Sequence, residues 1–206
     1  MKEWNLGSGV VLRSATRADL PALLSICLKT ADSGKDATPL HNLPDLVGEI
    51  YAAPYVMHEP DFAYVLVASE KAVGYVLGAL DTSKFESTLV TEYWPRTKEK
   101  YQSISTTLLK NDIELLAELE KQGFSDPAIM AQYPSHLHID IVESHQGFGY
   151  GKAMIEHLLN ELRAGGSSGV HLHMAATNNR AFLFYQKFGF HEILKNENEK
   201  ILALAF

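Results

Sequence analysis

The residues best suited to chemistry lie in the second half of the chain. His145-Gln146-Gly147-Phe148-Gly149-Tyr150-Gly151-Lys152 is a glycine-rich turn between an apolar run and an amphipathic one. Glycines let backbone N–H groups come close to a ligand. A helix start adds unpaired N–H groups and the positive end of its dipole, so such a turn suits phosphate. Two familiar nucleotide loops do not match. Glycines at 147, 149 and 151 miss the G-x-G-x-x-G spacing, and Gly147 to Gly151 is one residue too short for G-x-x-x-x-G-K-[ST]. Ala153 also stands where a hydroxyl would hold magnesium.

A second group precedes the turn. His136, His138 and Asp140 alternate with Leu137, Ile139 and Ile141, so a strand here carries one titratable face and one apolar face. Histidine titrates near neutrality, and a buried carboxylate needs a partner. The alternative is a satisfied polar cluster under neighbouring chain. His171-Leu172-His173 offers another His-x-His pair, but no cysteine joins the four histidines, so no metal is assigned. Cys27 falls in the apolar pattern Leu23, Leu24, Ile26, Cys27, Leu28 and is read as core. As the single cysteine it forms no intramolecular disulfide, which suits a reducing, cytoplasmic location.

The elements that position these groups follow from periodicity. Val10 to Arg13 predicts a strand, and Thr16 with Asp19 predicts the start of a helix through Leu28. Ser33 to Pro44 reads as loop, and Asp45 to Ala52 as a short helix stopped by Pro54. Phe62 to Ala68 and Ala72 to Leu80 read as a hairpin, apolar on both faces of its first strand, hence a sheet covered on both sides. Asp81 to Pro134 is a long, broken stretch with one helix over Ile104 to Gln122, whose apolar positions include Ile113. Then come a strand at His136 to Val142, a helix at Gly151 to Ala164, a strand at Val170 to Met174, a helix at Asn178 to Phe188, and strands at Phe190 to Leu194 and Ile201 to Phe206. This is an α/β pattern.

Gln146-x-x-Gly149-x-Gly151 resembles the pyrophosphate loop [QR]-x-x-G-x-[GA] of the GNAT superfamily of acyl-CoA N-acyltransferases. Asn178-x-x-Ala181-x-x-x-Tyr185-x-Lys187-x-Gly189-Phe190 resembles its N-x-x-A-x-x-x-Y-x-x-x-G-F segment. Leu12-Arg13-Ser14-Ala15, Pro44-Asp45-Leu46-Val47-Gly48, Gly74 to Asp81, Trp94-Pro95, Lys100-Tyr101 and Tyr133-Pro134-Ser135 extend the likeness to the acetyltransferase-like C-terminal domain of O-GlcNAcases. In animal O-GlcNAcases that domain is considered a pseudo-acetyltransferase with a degraded phosphate loop. Here the loop is intact, and no glycosidase activity carries over.

The resemblance implies one GNAT domain over residues 1–206 with an insert at about 82–134. It implies a mixed sheet of about seven strands flanked by helices and splayed between the fourth and fifth. It also implies acetyl-CoA as co-substrate, without metal, and direct acetyl transfer to a primary amine. A non-catalytic acyl-CoA-binding or partner-binding module is the alternative. By residue matching, Ile141 and Val142 would pair with pantetheine through their main chain. Gln146, Gly147, Phe148, Gly149, Tyr150 and Gly151, with Lys152, would hold the pyrophosphate. Asn178 would meet pantetheine, and Arg180 phosphate or solvent. Tyr185 would protonate the departing thiolate, or else be a structural tyrosine among Phe182, Phe184 and Phe188. His138 or Asp140 would serve the acceptor amine, as a similar His-Leu-His does in some arylalkylamine N-acetyltransferases. Tyr93, Trp94 and Tyr101 would form a lid or simply fill an edge.

A net charge of −7 argues against nucleic acid. No run is long and apolar enough for a membrane helix. The expected partner is an amine-bearing small molecule or peptide, mildly favoured if cationic, taken up by a monomer or homodimer.

Overall fold

The computed structural model describes residues 2–121 and 123–206. Its frame is an eight-stranded mixed sheet in the order β1-β2-β3-β4-β5-β6-β8-β7. The strands are β1 (Glu3–Gly7), β2 (Val10–Ser14), β3 (Ala63–Ala68), β4 (Lys71–Ala79), β5 (Ser135–Ile141), β6 (Gly169–Ala175), β7 (His191–Lys195) and β8 (Glu199–Ala205). One strand more than expected is present. Glu3–Gly7 pairs antiparallel with β2, and its half-exposed alternation marks an edge too short to announce itself in sequence. The expected hairpin forms between β3 and β4, tightened to a two-residue turn with Ser69 and Glu70 both at positive φ.

The sheet is covered on both faces, as the doubly apolar β3 implies. On one face lie α1 (Leu20–Leu28), α2 (Leu46–Tyr51) and α3 (Ala53–His58), packed with Ala63, Val65, Tyr75 and Leu77. Pro54 does not stop a helix there. It sits in the first turn of α3, where its missing N–H costs nothing. Gly48 lets α2 lie against α1, since a Cβ there would come 2.6 Å from Leu24 Cα. On the other face α8 (Tyr150–Ala164) buries Met154, Ile155, Leu158, Leu159 and Leu162 against Leu66, Val76 and Leu137.

Between β4 and β5 run α4 (Thr82–Thr88), α5 (Trp94–Tyr101), α6 (Lys110–Glu120) and α7 (Pro127–Gln132). The helix expected from Ile104 begins only at Lys110, and its expected end at Gln122 lies outside the described residues. Ile113, expected on its apolar face, is exposed. What fixes this helix is polar. The buried Asp112 carboxylate takes the N–H groups of Asn42 and Leu109 and sits 3.0 Å from His41 Nδ1. Tyr93 and Tyr101 anchor the segment to α2 through the Glu49 carbonyl and carboxylate, at 2.8 and 2.7 Å.

β5 and β6 are parallel and pair only at Ser135–Val170 and His136–His171 among the described residues. Beyond that they part. This is the expected splay, one place later in the count because of β1. It opens a slot through the sheet, and α9 (Asn179–Gln186) lies on its far side.

Candidate functional site

The slot opens into a cleft of about 1070 Å³. Its walls come from both faces of the sheet. Cys27 of α1 and His138 and Asp140 of β5 line it from one face, and Tyr185 of α9 from the other. Asn178 also lines it, as do Trp94 and Glu118 of the segment between β4 and β5. Tyr93 and Tyr101 pack that segment in place, so of the three aromatics singled out only Trp94 reaches the cleft.

His138 and Asp140 form a tight group with Tyr75, the cross-strand partner of Asp140 in the β4–β5 ladder. Asp140 Oδ2 accepts from the Tyr75 hydroxyl at 2.5 Å and lies 3.0 Å from His138 Nε2. Tyr75 stacks on the His138 ring at 5.6 Å, and Tyr51 stacks at 6.3 Å. Burial alone would strip the proton from His138. The Asp140 charge and hydrogen bond, with Cys27 alongside, outweigh burial and push its pKa up to about 10. It is therefore an imidazolium at neutral pH. Burial and the Asp140 charge also raise the Tyr75 phenol well above its usual range.

The other histidines behave differently. His136 lies 2.8 Å from Thr82 Oγ1 through Nδ1 and packs between Tyr55 and Phe85. Burial, then the neighbouring His171, hold it well below the ordinary value, so it stays neutral. His171 has Nδ1 2.8 Å from the Tyr133 carbonyl, and burial brings its pKa down to about 4. His173 pairs with Glu199 at 2.7 Å near the rim.

Tyr185 is buried. Desolvation first, and the Asp140 charge second, raise its phenol above the usual range, so it keeps its proton. That makes it a hydrogen-bond donor at the slot, electrically coupled to the carboxylate on the opposite face.

The glycine turn follows β5 at the end where the strands part. Gly147 and Gly149 have φ of +85° and +86°, and a Cβ at either would meet nothing within 4 Å. The turn is therefore glycine for its backbone path and for open space in front of it. The first main-chain bond of α8 runs from Ala153 N–H to Gly149 O. The N–H groups of Tyr150, Gly151 and Lys152 precede it and are the orphan donors of a helix start. Gly151 brings α8 close to α9, with a Cβ position 3.4 Å from Phe184. This geometry fits an anionic group such as a pyrophosphate.

Several side chains are otherwise engaged. Gln146 Nε2 donates to the Ile141 carbonyl at 2.6 Å, tying the turn to the strand end. Lys152 Nζ leans to Glu156 at 3.6 Å. Asn178 caps α9 by accepting from Ala181 N–H. Arg180 is exposed and does not line the cleft. Phe148 and Tyr150 stack at 6.0 Å, with Phe148 standing in solvent. The expected pairing edge also moves. Val142 N–H donates to Val73 O and its carbonyl accepts from His145 N–H, so both main-chain groups are taken. Alternation then points Ile139 and the Ile141 N–H to the open edge of β5, the Ile141 carbonyl being held by Gln146.

Sequence reasoning missed Cys27, Tyr75 and Tyr51 as site residues. Each looks like core in its own segment, and only the approach of α1, α2 and β4 to β5 brings them to His138.

Comparison with known proteins agrees with this geometry. Residues 111–192 match the family model described as an acetyltransferase (GNAT) domain. The chain is 28% identical to rat (Rattus norvegicus) protein O-GlcNAcase over 181 residues, 87% of its own length. It spans about a fifth of the length of that relative and of its mouse (Mus musculus) counterpart. The crystal structure of SsHAT superposes with a TM-score of 0.84 at 34% identity, covering 96% of this chain and 98% of that one. A Drosophila melanogaster polyamine N-acetyltransferase shares the fold alone, with a TM-score of 0.58 at 14% identity, covering 96% of this chain and all of that one (100%). On these matches the chain belongs to the GNAT acetyltransferase family, as an O-GlcNAcase-like acetyltransferase domain.

Proposed function

We propose that the protein is an acetyl-CoA-dependent N-acetyltransferase that transfers acetyl directly to a primary amine. One observation carries the reading. A cleft through the sheet sets Tyr185 opposite a proton-handling pair, His138 and Asp140, and the same strand that carries the pair, β5, runs on into the helix start at Gly149. The turn from Gln146 to Lys152 holds the pyrophosphate by main-chain N–H groups. The open edge of β5 at Ile139 and Ile141 receives the pantetheine arm, with Asn178 alongside. The acetyl thioester then lies between Tyr185 and Asp140.

The acceptor arrives as an ammonium, with a pKa near 10.4 if it resembles lysine. Asp140 uses Oδ2 toward Tyr75 and His138, leaving Oδ1 to hold that cation. The ammonium gives its proton to the His138–Asp140 pair or to a relayed water. The free amine attacks the thioester carbonyl carbon and the carbon–sulfur bond breaks. Tyr185, still protonated, donates to the departing sulfur. His138 accepts a proton only in its neutral form. That fraction rises toward pH 10 together with the free-amine fraction, so turnover climbs with pH on the alkaline side.

The cleft also selects charge. Glu86, Glu118, Glu197 and Glu199 join Asp140 in its lining, with no Lys or Arg among the described lining residues. A cationic amine on a small molecule or peptide fits this wall, and residues 82–134 work as the acceptor-side insert. The single-cysteine chain acts in the reducing cytoplasm.

Thiol release from acetyl-CoA across a panel of polyamines, amino sugars, arylalkylamines and lysine peptides tests the reading. Amine-dependent release supports it. A second reading, an acyl-CoA-binding module without turnover, is favoured by the protonated state of His138 at neutral pH. Acetyl-CoA binding with no release for any amine between pH 7 and 10 would establish that reading instead.

A further inference from the structure

Cys27 has no part in the chemistry above, yet it lies at its centre. Its sulfur, a ring nitrogen of His138 and a carboxylate oxygen of Asp140 all lie within 4.8 Å of one another. The three come from two elements, the last turn of α1 and alternate positions of β5. Their orientation is held from outside. Tyr75 bonds the carboxylate, and Tyr75 and Tyr51 stack on the imidazole. Outer contacts of this kind orient the ligands of metal sites.

We propose that Cys27, His138 and Asp140 form a binding site for a zinc-class divalent cation, with its fourth position open to the cleft. The donor set decides the class. One thiolate, one imidazole and one carboxylate suit zinc or cobalt, whereas calcium and magnesium take oxygen alone. Zinc–ligand bonds of about 2.0–2.3 Å place tetrahedral ligand atoms roughly 3.3–3.8 Å apart. The present spacing reaches that by small side-chain rotations. Two anionic donors neutralise the ion's charge. All three residues line the cleft, so water or an incoming amine completes the coordination.

A thiol–imidazole–carboxylate relay is the rival use of the same residues. Such a relay needs the carboxylate on one ring nitrogen and the thiol on the other. Here Asp140 and Tyr75 both meet the ring at Nε2, and among the described residues no geometric hydrogen bond joins the Cys27 sulfur to the other ring nitrogen. Sequence spacing conceals the site because residues 27 and 138 are far apart in the chain and the His-x-His pairs draw attention elsewhere. The binding claim stands apart from the acetyl-transfer reading. Its consequence, reversible inhibition by occupying the proton-accepting pair, rests on that reading.

Cobalt titration of the metal-free full chain tests it. Because Cys27 is the only cysteine, a near-ultraviolet thiolate-to-cobalt charge-transfer band identifies this site without any variant. The expected result is one equivalent of cobalt with that band and tetrahedral visible bands, displaced by one equivalent of zinc. Cys27→Ser should abolish the charge-transfer band, and His138→Ala should weaken cobalt binding at least about tenfold. No charge-transfer band in the parent, or cobalt bands lost only in His173→Ala, would overturn the proposal. If cobalt binds at Cys27 and thiol release is absent with or without metal, the metal site stands and the transferase reading falls.

Discussion

Replacing Asp140 by asparagine isolates what holds the proton on His138. The substitution keeps size and removes charge. In the parent, the carboxylate 3.0 Å from Nε2 raises the imidazole to about 10 against burial. At pH 7 only about one molecule in a thousand then carries a neutral His138. Without the charge, burial acts unopposed and carries the ring below its ordinary value of 6.5. The ring is 32% exposed, so water screens part of both effects, and a fall of at least ~2 pH units is expected. The direct assay is the His138 Cε1–H titration by NMR between pH 5 and 11, with the pH profile of kcat/KM in parallel. The NMR midpoint and the His138 limb of the rate profile should move toward neutrality together, while the limb set by the acceptor amine at about 10.4 stays in place. Stability supplies an independent check. A raised folded pKa stabilises fully below 6.5 and the contribution fades as pH rises toward 10. The parent should therefore lose unfolding free energy across that interval, and Asp140→Asn should lose this part of the slope. A His138 midpoint displaced by less than about one unit would refute the reasoning, because some group other than Asp140 would then hold the proton.

Tyr185→Phe should lower turnover at least about tenfold with little change in CoA affinity by calorimetry, since the phenol acts on the leaving sulfur. Unchanged turnover removes it from the mechanism. Gly149→Asp should abolish CoA binding, because it forces a side chain into φ +86° and puts a negative charge where phosphate belongs. Retained affinity in a folded variant would break the assignment of the turn. Gly48→Ala should destabilise the fold by about 1–3 kcal/mol in denaturant unfolding, because its Cβ would lie 2.6 Å from Leu24 Cα. A stability change under about 0.5 kcal/mol would show that α1 and α2 part without cost.

Much of this was legible in the chain. The hydrophobic period of residues 151–164 sets a helix, and the structure has it at Tyr150–Ala164. The glycines at 147 and 149 read as a backbone-defined turn, and both take positive φ. Misreadings cluster where the sequence signal is local but the cause is not. The segment before Lys110 carries helical spacing, yet its chain is irregular, with an extended Leu109 just ahead of the helix. Pro54 looks like a terminator, yet it opens α3 because a new helix packs directly after α2. The Ile141–Val142 edge shifted because a single-strand pattern does not say which N–H faces which neighbour.

By itself the sequence determined the α/β pattern, the two-sided sheet, the glycine turn and the line of His136, His138 and Asp140 on one strand face. These depend on spacing within a segment, and periodicity encodes that directly. The tertiary structure decided the rest. It passed the cleft through the sheet, set Tyr185 across from Asp140, and brought Cys27, Tyr75 and Tyr51 to His138. It also decided protonation. His136 and His138 are two residues apart on one face, yet one is neutral and the other a cation. Burial is common to both; an adjacent carboxylate is not, and only folding places it.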